Sequence, residues 1–165
     1  MSVKDGFIAE YQMEMATTRK ALERLPEGRF AFKPHEKSYS LGELGTHLAN
    51  LQQWVGVTLN MDAFDVGVHV PRTEALKTTG AVLEMFDKNV AEAVKMMADA
   101  PDDRYMESWS LKNGDTTVFT MPKAAVLRSF VLNHTIHHRG QLTVYLRLND
   151  VALPMIYGPT ADEQM

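Results

Sequence analysis

Apolar residues recur at intervals of three and four along four long stretches of this chain, a pattern typical of amphipathic helices. The first stretch predicts a helix from about Val3 to Leu25, which the sequence Pro26-Glu27-Gly28 should end. Its buried face is expected to consist of Phe7, Tyr11, Met15, Thr18, Leu22 and Leu25.

The second helix carries a sequence signal for its first residue. Ser40 is followed three residues later by Glu43. This pair predicts a capping box, in which the side chain of each residue binds the backbone N–H of the other. The apolar face that follows contains a histidine, His47, and its other members are Leu41, Leu44, Leu48, Leu51, Trp54 and Val55. His47 is therefore expected on the inward side of this helix.

The third helix is predicted from Thr79 to Ala98, and the fourth from about Met121 to Leu148. Thr120 should cap the fourth helix, with Pro122 in the first turn, where its missing N–H costs little. The buried face of the third helix is expected to contain Leu83, Phe86, Val90, Ala93, Val94 and Met97. The inward face of the fourth helix is expected to contain Val126, Phe130, His134, His138, Gln141, Leu142 and Tyr145.

Between these two helices the pattern changes to that of β-strands. Residues 105–111 and 116–120 flank the sequence Lys112-Asn-Gly-Asp115. Asn-Gly favours a type I′ turn because both of its central residues adopt positive φ at low cost. A short β-hairpin is therefore predicted here, whereas residues 62–72 should form a connection and residues 151–165 a surface tail.

These elements predict an all-α fold, a four-helix bundle with a short β-hairpin between its third and fourth helices. A chain of 165 residues is long enough for one domain with its own core, so a single domain over residues 1–165 is expected. Apolar residues outside the main helix faces, at Met13, Val57, Met61 and Met96, suggest a homodimer.

Composition and charge exclude several classes of function. The net charge is −4 and no cluster of basic residues occurs, so nucleic-acid binding is not expected. No stretch approaches the roughly 20 apolar residues of a membrane span, and none resembles a signal peptide, so a soluble cytoplasmic protein is expected. The chain has no cysteine, so a metal would have to be held by histidine or carboxylate side chains.

Three histidines lie within five residues of the fourth helix. Residues three and four apart share a helix face, so His134 can present its imidazole beside that of His137 or of His138. His47 on the second helix would supply a third ring nitrogen. Two helices would then offer three ligands to a divalent metal and leave a position open for water or substrate. His35 and His69 fall in connections and are expected at the surface.

The block from His134 to Gln141, His-Thr-Ile-His-His-Arg-Gly-Gln, resembles the DinB/YfiT-like superfamily of bacterial four-helix-bundle metalloproteins. The resemblance extends over nearly the whole chain and includes Leu44-Gly-Thr-His47 and Tyr157-Gly-Pro-Thr-Ala-Asp-Glu163. It implies that the metal ligands are His47, His134 and His138, which leaves His137 with another role.

The resemblance also implies an activity and a mode of assembly. The family includes transferases that use low-molecular-weight thiols, and its members often form homodimers. A small-molecule substrate, a thiol cosubstrate and a divalent metal, zinc or nickel, are therefore expected. Gln141 and Tyr145 lie one and two turns beyond His138 and are expected to orient water or substrate. The alternatives are a metal-dependent hydrolase and a non-catalytic metal-binding stress-response protein.

Overall fold

The computed structural model of this chain describes residues 3–68 and 73–164, and these residues are mostly helical with a small β-sheet. Helix α1 spans Val3–Leu22 and helix α4 spans Thr79–Asp99, and both are continuous. The second and fourth helical stretches are each built from shorter segments. His69 lies outside the described residues, together with the part of the predicted connection around it.

The second helical stretch consists of helix α2 (Leu41–Asn50), a 3₁₀ turn (Leu51–Gln53) and helix α3 (Trp54–Asn60). The predicted capping box is confirmed, because the Ser40 N–H donates to Glu43 Oε2 at 2.6 Å and the Glu43 N–H donates to Ser40 Oγ at 3.1 Å. Both bonds satisfy backbone donors that the first turn of a helix leaves unpaired. Helix α2 therefore begins at the predicted residue.

The fourth helical stretch consists of helix α5 (Lys123–Val126), a π-helical segment (Leu127–Asn133) and helix α6 (His134–Arg147). In a π-helix each carbonyl accepts from the N–H five residues later, so the segment is wider than an α-helix. We call the stretch from α2 to α3 the second helical arm and the stretch from α5 to α6 the fourth helical arm.

The sheet has three strands, β1 (Ala63–Asp65), β2 (Ser108–Asn113) and β3 (Thr116–Pro122). Strands β2 and β3 pair antiparallel, so the predicted hairpin is confirmed. Strand β1 pairs parallel with β2 and lies in the segment that was predicted to be a connection. The mostly helical fold with a hairpin is confirmed, and the third strand was not predicted, because three residues are too few to show strand alternation in the sequence.

Two further local predictions about the hairpin are corrected. Thr120 and Met121, predicted to cap and begin the fourth helix, pair in the sheet with Ser110 and Trp109, and the helix begins only after Pro122. The turn lies at residues 114–115, and within it only Gly114 has positive φ, at 58°. Positive φ at the first central residue alone fits a type II′ turn and not the predicted type I′.

The helical arms pack around a common apolar core. Helix α1 contacts α4 and α6, and helix α2 also contacts α4 and α6. The side chains buried at their centre include Tyr11, Met15, Leu22, Leu44, Leu48, Phe86, Met97, Leu132 and Leu142. Helix α1 ends three residues earlier than predicted, but Leu25 is buried as expected. Helices α2 and α6, which carry the candidate ligands, are therefore direct neighbours.

Among the described residues, no helix combines the length and the apolar character that crossing a membrane requires.

Candidate metal centre

The structure brings together His47 from helix α2 with His134 and His138 from helix α6. One ring nitrogen from each histidine lies within 4.8 Å of those of the other two. The Nε2 atoms of His47 and His134 are 3.5 Å apart. Two nitrogens bound tetrahedrally to one zinc ion at 2.0–2.1 Å would be about 3.3 Å apart. The spacing of the side chains therefore fits a single ion between the two helices.

The hydrogen bond from His138 selects the tautomer that metal binding needs. His138 Nδ1 lies 2.7 Å from Gln141 Oε1, and because an amide oxygen only accepts, the imidazole must donate. In this ring the proton is held on Nδ1, so the Nε2 lone pair is available to an ion. In the neighbouring ring, Nε2 of His134 faces Nε2 of His47.

The π-helical segment changes the backbone hydrogen bonding directly before His134. In an α-helix the backbone N–H of His134 would donate to the carbonyl of Phe130, four residues earlier. Here it donates to the carbonyl of Val131 instead. π-helical turns occur frequently at functional sites.

Burial favours the neutral form of the His134 and His138 rings. It is the main cause that lowers the pKa of His134 below its usual range, although the bond to the Phe130 carbonyl opposes the shift. Burial likewise lowers the pKa of His138, assisted by the neighbouring His134 and His137 and opposed by the bond to Gln141. A lower pKa means that the ring loses its proton at a lower pH, and the neutral imidazole is the form that binds metals.

Gln141 and Tyr145, the two residues predicted to orient water or substrate, contact the centre in different ways. Gln141 holds His138 through its oxygen, and its Nε2 lies 3.1 Å from His137 Nε2. Tyr145 donates its hydroxyl to the backbone carbonyl of Tyr39 at 3.2 Å. Gln141 therefore fixes a candidate ligand, and Tyr145 fixes the segment that contains Tyr39.

Tyr39 is a site residue that the sequence did not reveal. Its ring is 5.6 Å from the ring of His47 and 6.4 Å from that of His138, measured between centroids. It lies in the non-helical stretch before α2, where no periodicity indicates which side chains face inward. The only signal available was its place one residue before Ser40, the N-cap of the helix that carries His47.

The other two histidines that the structure describes, His35 and His137, lie outside the cluster. His137 is exposed and contacts Gln141, while His35 is exposed and accepts from the N–H of Lys37 at 3.1 Å. Within residues 3–68 and 73–164, the three clustered histidines are the only group of at least three potential metal ligands whose ligand atoms lie close together. No carboxylate belongs to this group.

A buried ion pair holds helix α6 from its opposite side. Arg139, directly after His138, is buried and contacts the Glu14 carboxylate of α1 at 2.7 Å. The hydroxyl of Tyr157 accepts from Arg139 at 2.6 Å and donates to Glu14 at 2.9 Å. The ring of Tyr157 also stacks on the guanidinium, 5.0 Å from its centroid. These contacts fix the rotation of α6 and hence the direction in which His134 and His138 point.

Comparison with known proteins identifies relatives of this chain. The sequence model of the DinB family matches residues 1–164. An uncharacterized protein of Bacillus subtilis (strain 168), YrdA, is 22% identical over 159 residues, and the match covers 96% of this chain and 90% of YrdA.

Two solved structures share the fold. A DinB-like protein from Bacillus cereus ATCC 10987 matches with a TM-score of 0.74 and 18% identity, over 93% of this chain and 97% of that one. The DinB-like protein YjoA from Bacillus subtilis matches with a TM-score of 0.67 and 16% identity, over 96% of this chain and 98% of that one.

Proposed function

Because this chain belongs to the DinB family, we propose that it is a metal-dependent enzyme whose divalent ion, zinc or nickel, is held by His47, His134 and His138. The observation that carries the proposal is the convergence of three imidazole nitrogens, together with the hydrogen bond to Gln141 that fixes the tautomer of His138. We take helices α1 and α4 and the two helical arms to be the four-helix bundle of this family, with the small sheet added to it.

The ligand set favours catalysis over a purely structural ion. Structural zinc sites usually have four protein ligands, whereas catalytic sites have three and leave one position open. Within the described residues the cluster has three candidate ligands and no carboxylate. A divalent ion bound by three neutral imidazoles would act as a Lewis acid that acidifies a thiol or a water molecule.

We propose transfer of a low-molecular-weight thiol to a small electrophile as the reaction. The chain has no cysteine, so the sulfur nucleophile must come from a cosubstrate. In the transfer, a bond forms between the thiol sulfur and a carbon of the electrophile, a leaving group departs with its electron pair, and the thiol proton passes to solvent. The protein contributes the fixed histidines, the Gln141 bond that orients His138, and the Tyr39 ring that packs on the cluster.

The second candidate reaction is hydrolysis of an ester or amide, which the same open position would support. The two differ in their need for a thiol. The assay supplies bacillithiol, mycothiol, glutathione or free cysteine with a panel of electrophiles to the metal-loaded protein. Turnover that requires a thiol supports transfer, whereas ester or amide cleavage without thiol supports hydrolysis.

Two histidine variants provide the matched control. His138→Ala removes a candidate ligand, and His35→Ala removes an exposed histidine that does not belong to the cluster. We expect His138→Ala to lose both the metal, by elemental analysis, and the activity, while His35→Ala keeps both. Full metal occupancy in His138→Ala and in His134→Ala would contradict the proposed site. Equal rates for wild type and His138→Ala with every thiol would contradict transfer.

A further inference from the structure

We propose that four aromatic side chains beside the metal centre form the binding surface for the uncharged aromatic part of the substrate. These are Trp54, Phe64, Phe119 and Phe130, called here the aromatic surface. The inference rests on the proposed function, because it names the class of electrophile that the centre would take.

The four rings form one continuous surface. The centroids of Trp54 and Phe64 are 5.0 Å apart, those of Trp54 and Phe130 are 6.2 Å apart, and those of Phe119 and Phe130 are 5.4 Å apart. They come from helix α3, strand β1, the π-helical segment and strand β3, in the order Trp54, Phe64, Phe130, Phe119. All four residues are half-buried, so none of them is fully enclosed by the rest of the protein.

The aromatic surface adjoins the candidate metal centre on both helical arms. Phe130 precedes His134 by four residues, or about one turn, along the fourth helical arm. Trp54 follows His47 by seven residues, or about two turns, along the second helical arm. Helix α3 also packs against the π-helical segment. A small molecule bound at the metal centre, between the second and fourth helical arms, would therefore lie next to the aromatic surface.

The chemistry of the surface selects a flat, uncharged group. Aromatic rings bind one another through offset or edge-on contacts that an aliphatic group of equal size cannot reproduce. Beneath the surface lies Trp109, which is fully buried and 6.4 Å from Trp54 and 6.1 Å from Phe119, centroid to centroid. Its indole N–H has no hydrogen-bond partner among the described residues, so it is free to bond to an acceptor oxygen on a ligand that displaces a neighbouring ring.

The position of the sheet is explained by this surface. Strands β1 and β3 supply Phe64 and Phe119, and neither strand carries any of the candidate metal ligands. The three strands thus extend the site on the second and fourth helical arms beyond what the helices provide. In this interpretation the helices hold the reacting end of the substrate and the sheet completes the surface for its aromatic end.

The test uses the two tryptophans of the chain, since one belongs to the aromatic surface and the other lies directly beneath it. The metal-loaded protein, labelled with ¹⁵N, is titrated with 4-nitrobenzyl alcohol, an unreactive aromatic probe, and separately with cyclohexylmethanol. We expect saturable shifts of both indole N–H signals with the aromatic alcohol and an affinity about tenfold weaker for the aliphatic one. Nuclear Overhauser contacts between the probe and the Trp54 ring should locate the bound probe in the wild-type protein.

A matched pair of variants adds a second measurement. Phe119→Leu keeps an apolar side chain but removes one ring of the surface, and Phe7→Leu makes the same change on helix α1, outside the surface. We expect Phe119→Leu to weaken binding of the aromatic alcohol several-fold with unchanged metal content, and Phe7→Leu to bind as wild type does.

Equal affinity for the two alcohols, absence of contacts to Trp54, or unchanged binding by a folded Phe119→Leu protein would overturn the inference. Failure of the proposed function gives a different result. If the aromatic alcohol binds as expected but no thiol supports turnover, the transfer reaction is wrong and the aromatic surface stands. If small aliphatic electrophiles react with thiols but the aromatic alcohol does not bind, the aromatic surface alone is wrong.

Discussion

Replacing Gln141 by leucine tests whether the tautomer of His138 is set by its neighbour. Leucine has a similar volume but cannot accept the His138 Nδ1–H, which Gln141 Oε1 accepts at 2.7 Å. Without this acceptor the imidazole can rotate and can protonate Nε2, the atom that should face the ion. Loss of such an outer hydrogen bond typically costs 10–100-fold in metal affinity. This corresponds to about 1.4–2.7 kcal/mol.

The fold should hardly change, because Gln141 is exposed and its side chain bonds only to His137 and His138. Surface substitutions of this kind usually alter stability by less than about 0.5 kcal/mol. The metal dissociation constant is measured by competition with a chelating dye at fixed pH, and the helical circular dichroism is recorded on the same samples. We expect a weaker metal complex and an unchanged spectrum.

Two further variants separate the two bonds of Gln141. Gln141→Glu keeps an acceptor for His138 and adds a negative charge, so it should bind metal at least as tightly as wild type. His137→Ala removes the contact that orients the amide, 3.1 Å away, and a ring contact to His138, but it leaves the bond from His138 to Gln141 and should weaken the complex less than Gln141→Leu does. An unchanged dissociation constant for Gln141→Leu would refute the reasoning, as would equally weak binding by Gln141→Glu and Gln141→Leu.

Four other measurements test the packing, the charges and the assembly. Gly140→Ala should stabilise the fold by up to about 1 kcal/mol, because a methyl group at this position on a helix meets open space. Gly42→Ala should destabilise the fold, because its methyl carbon would lie 2.9 Å from a Phe30 ring carbon. Thermal unfolding measures both changes. Arg139→Ala should lower the free energy of unfolding by roughly 3–5 kcal/mol in urea, because it leaves a buried carboxylate without its partner. The hydrogen bond from Lys123 lowers the pKa of Asp62 in the folded protein. The stability that this pair contributes is therefore present above the unfolded-state pKa of Asp62 and is lost as the pH falls through its folded-state pKa. Acid unfolding of Asp62→Asn should lack this part of the pH dependence. Light scattering at micromolar concentration should give twice the mass of one chain, and a single-chain mass would contradict the proposed homodimer.

Local signals predicted the parts of the fold that depend on short segments. The capping box at Ser40 and Glu43 fixed the start of helix α2 because both of its hydrogen bonds lie within four residues. The apolar faces placed His47 and His134 inward because helix periodicity is itself the result of burial. His137 and His138 could not be separated by this rule, since both spacings share a face with His134. The structure places His138 in the cluster and His137 on the exposed side.

The remaining features depend on contacts between distant segments. Strand β1 has three residues and exists because it pairs with β2, which lies more than forty positions further along the chain. Thr120 is a favourable helix cap by composition, but it pairs with Ser110 in the sheet, and this tertiary pairing outweighs the local preference. Tyr39 reaches the cluster because the chain before α2 is held by the Tyr145 hydroxyl, 106 positions away in sequence.

The π-helical segment from Leu127 to Asn133 affects the chain length that is needed before His134. A π-helical turn holds one residue more than an α-helical turn, so deleting one residue at an exposed position such as Ser129 would let the segment become an ordinary α-helix. Helices α5 and α6 would keep the faces that they turn toward the core, and only the backbone between them would change. An alignment gap of one residue in this segment would therefore mark relatives in which an ordinary α-helix leads into His134, even where all three histidines remain.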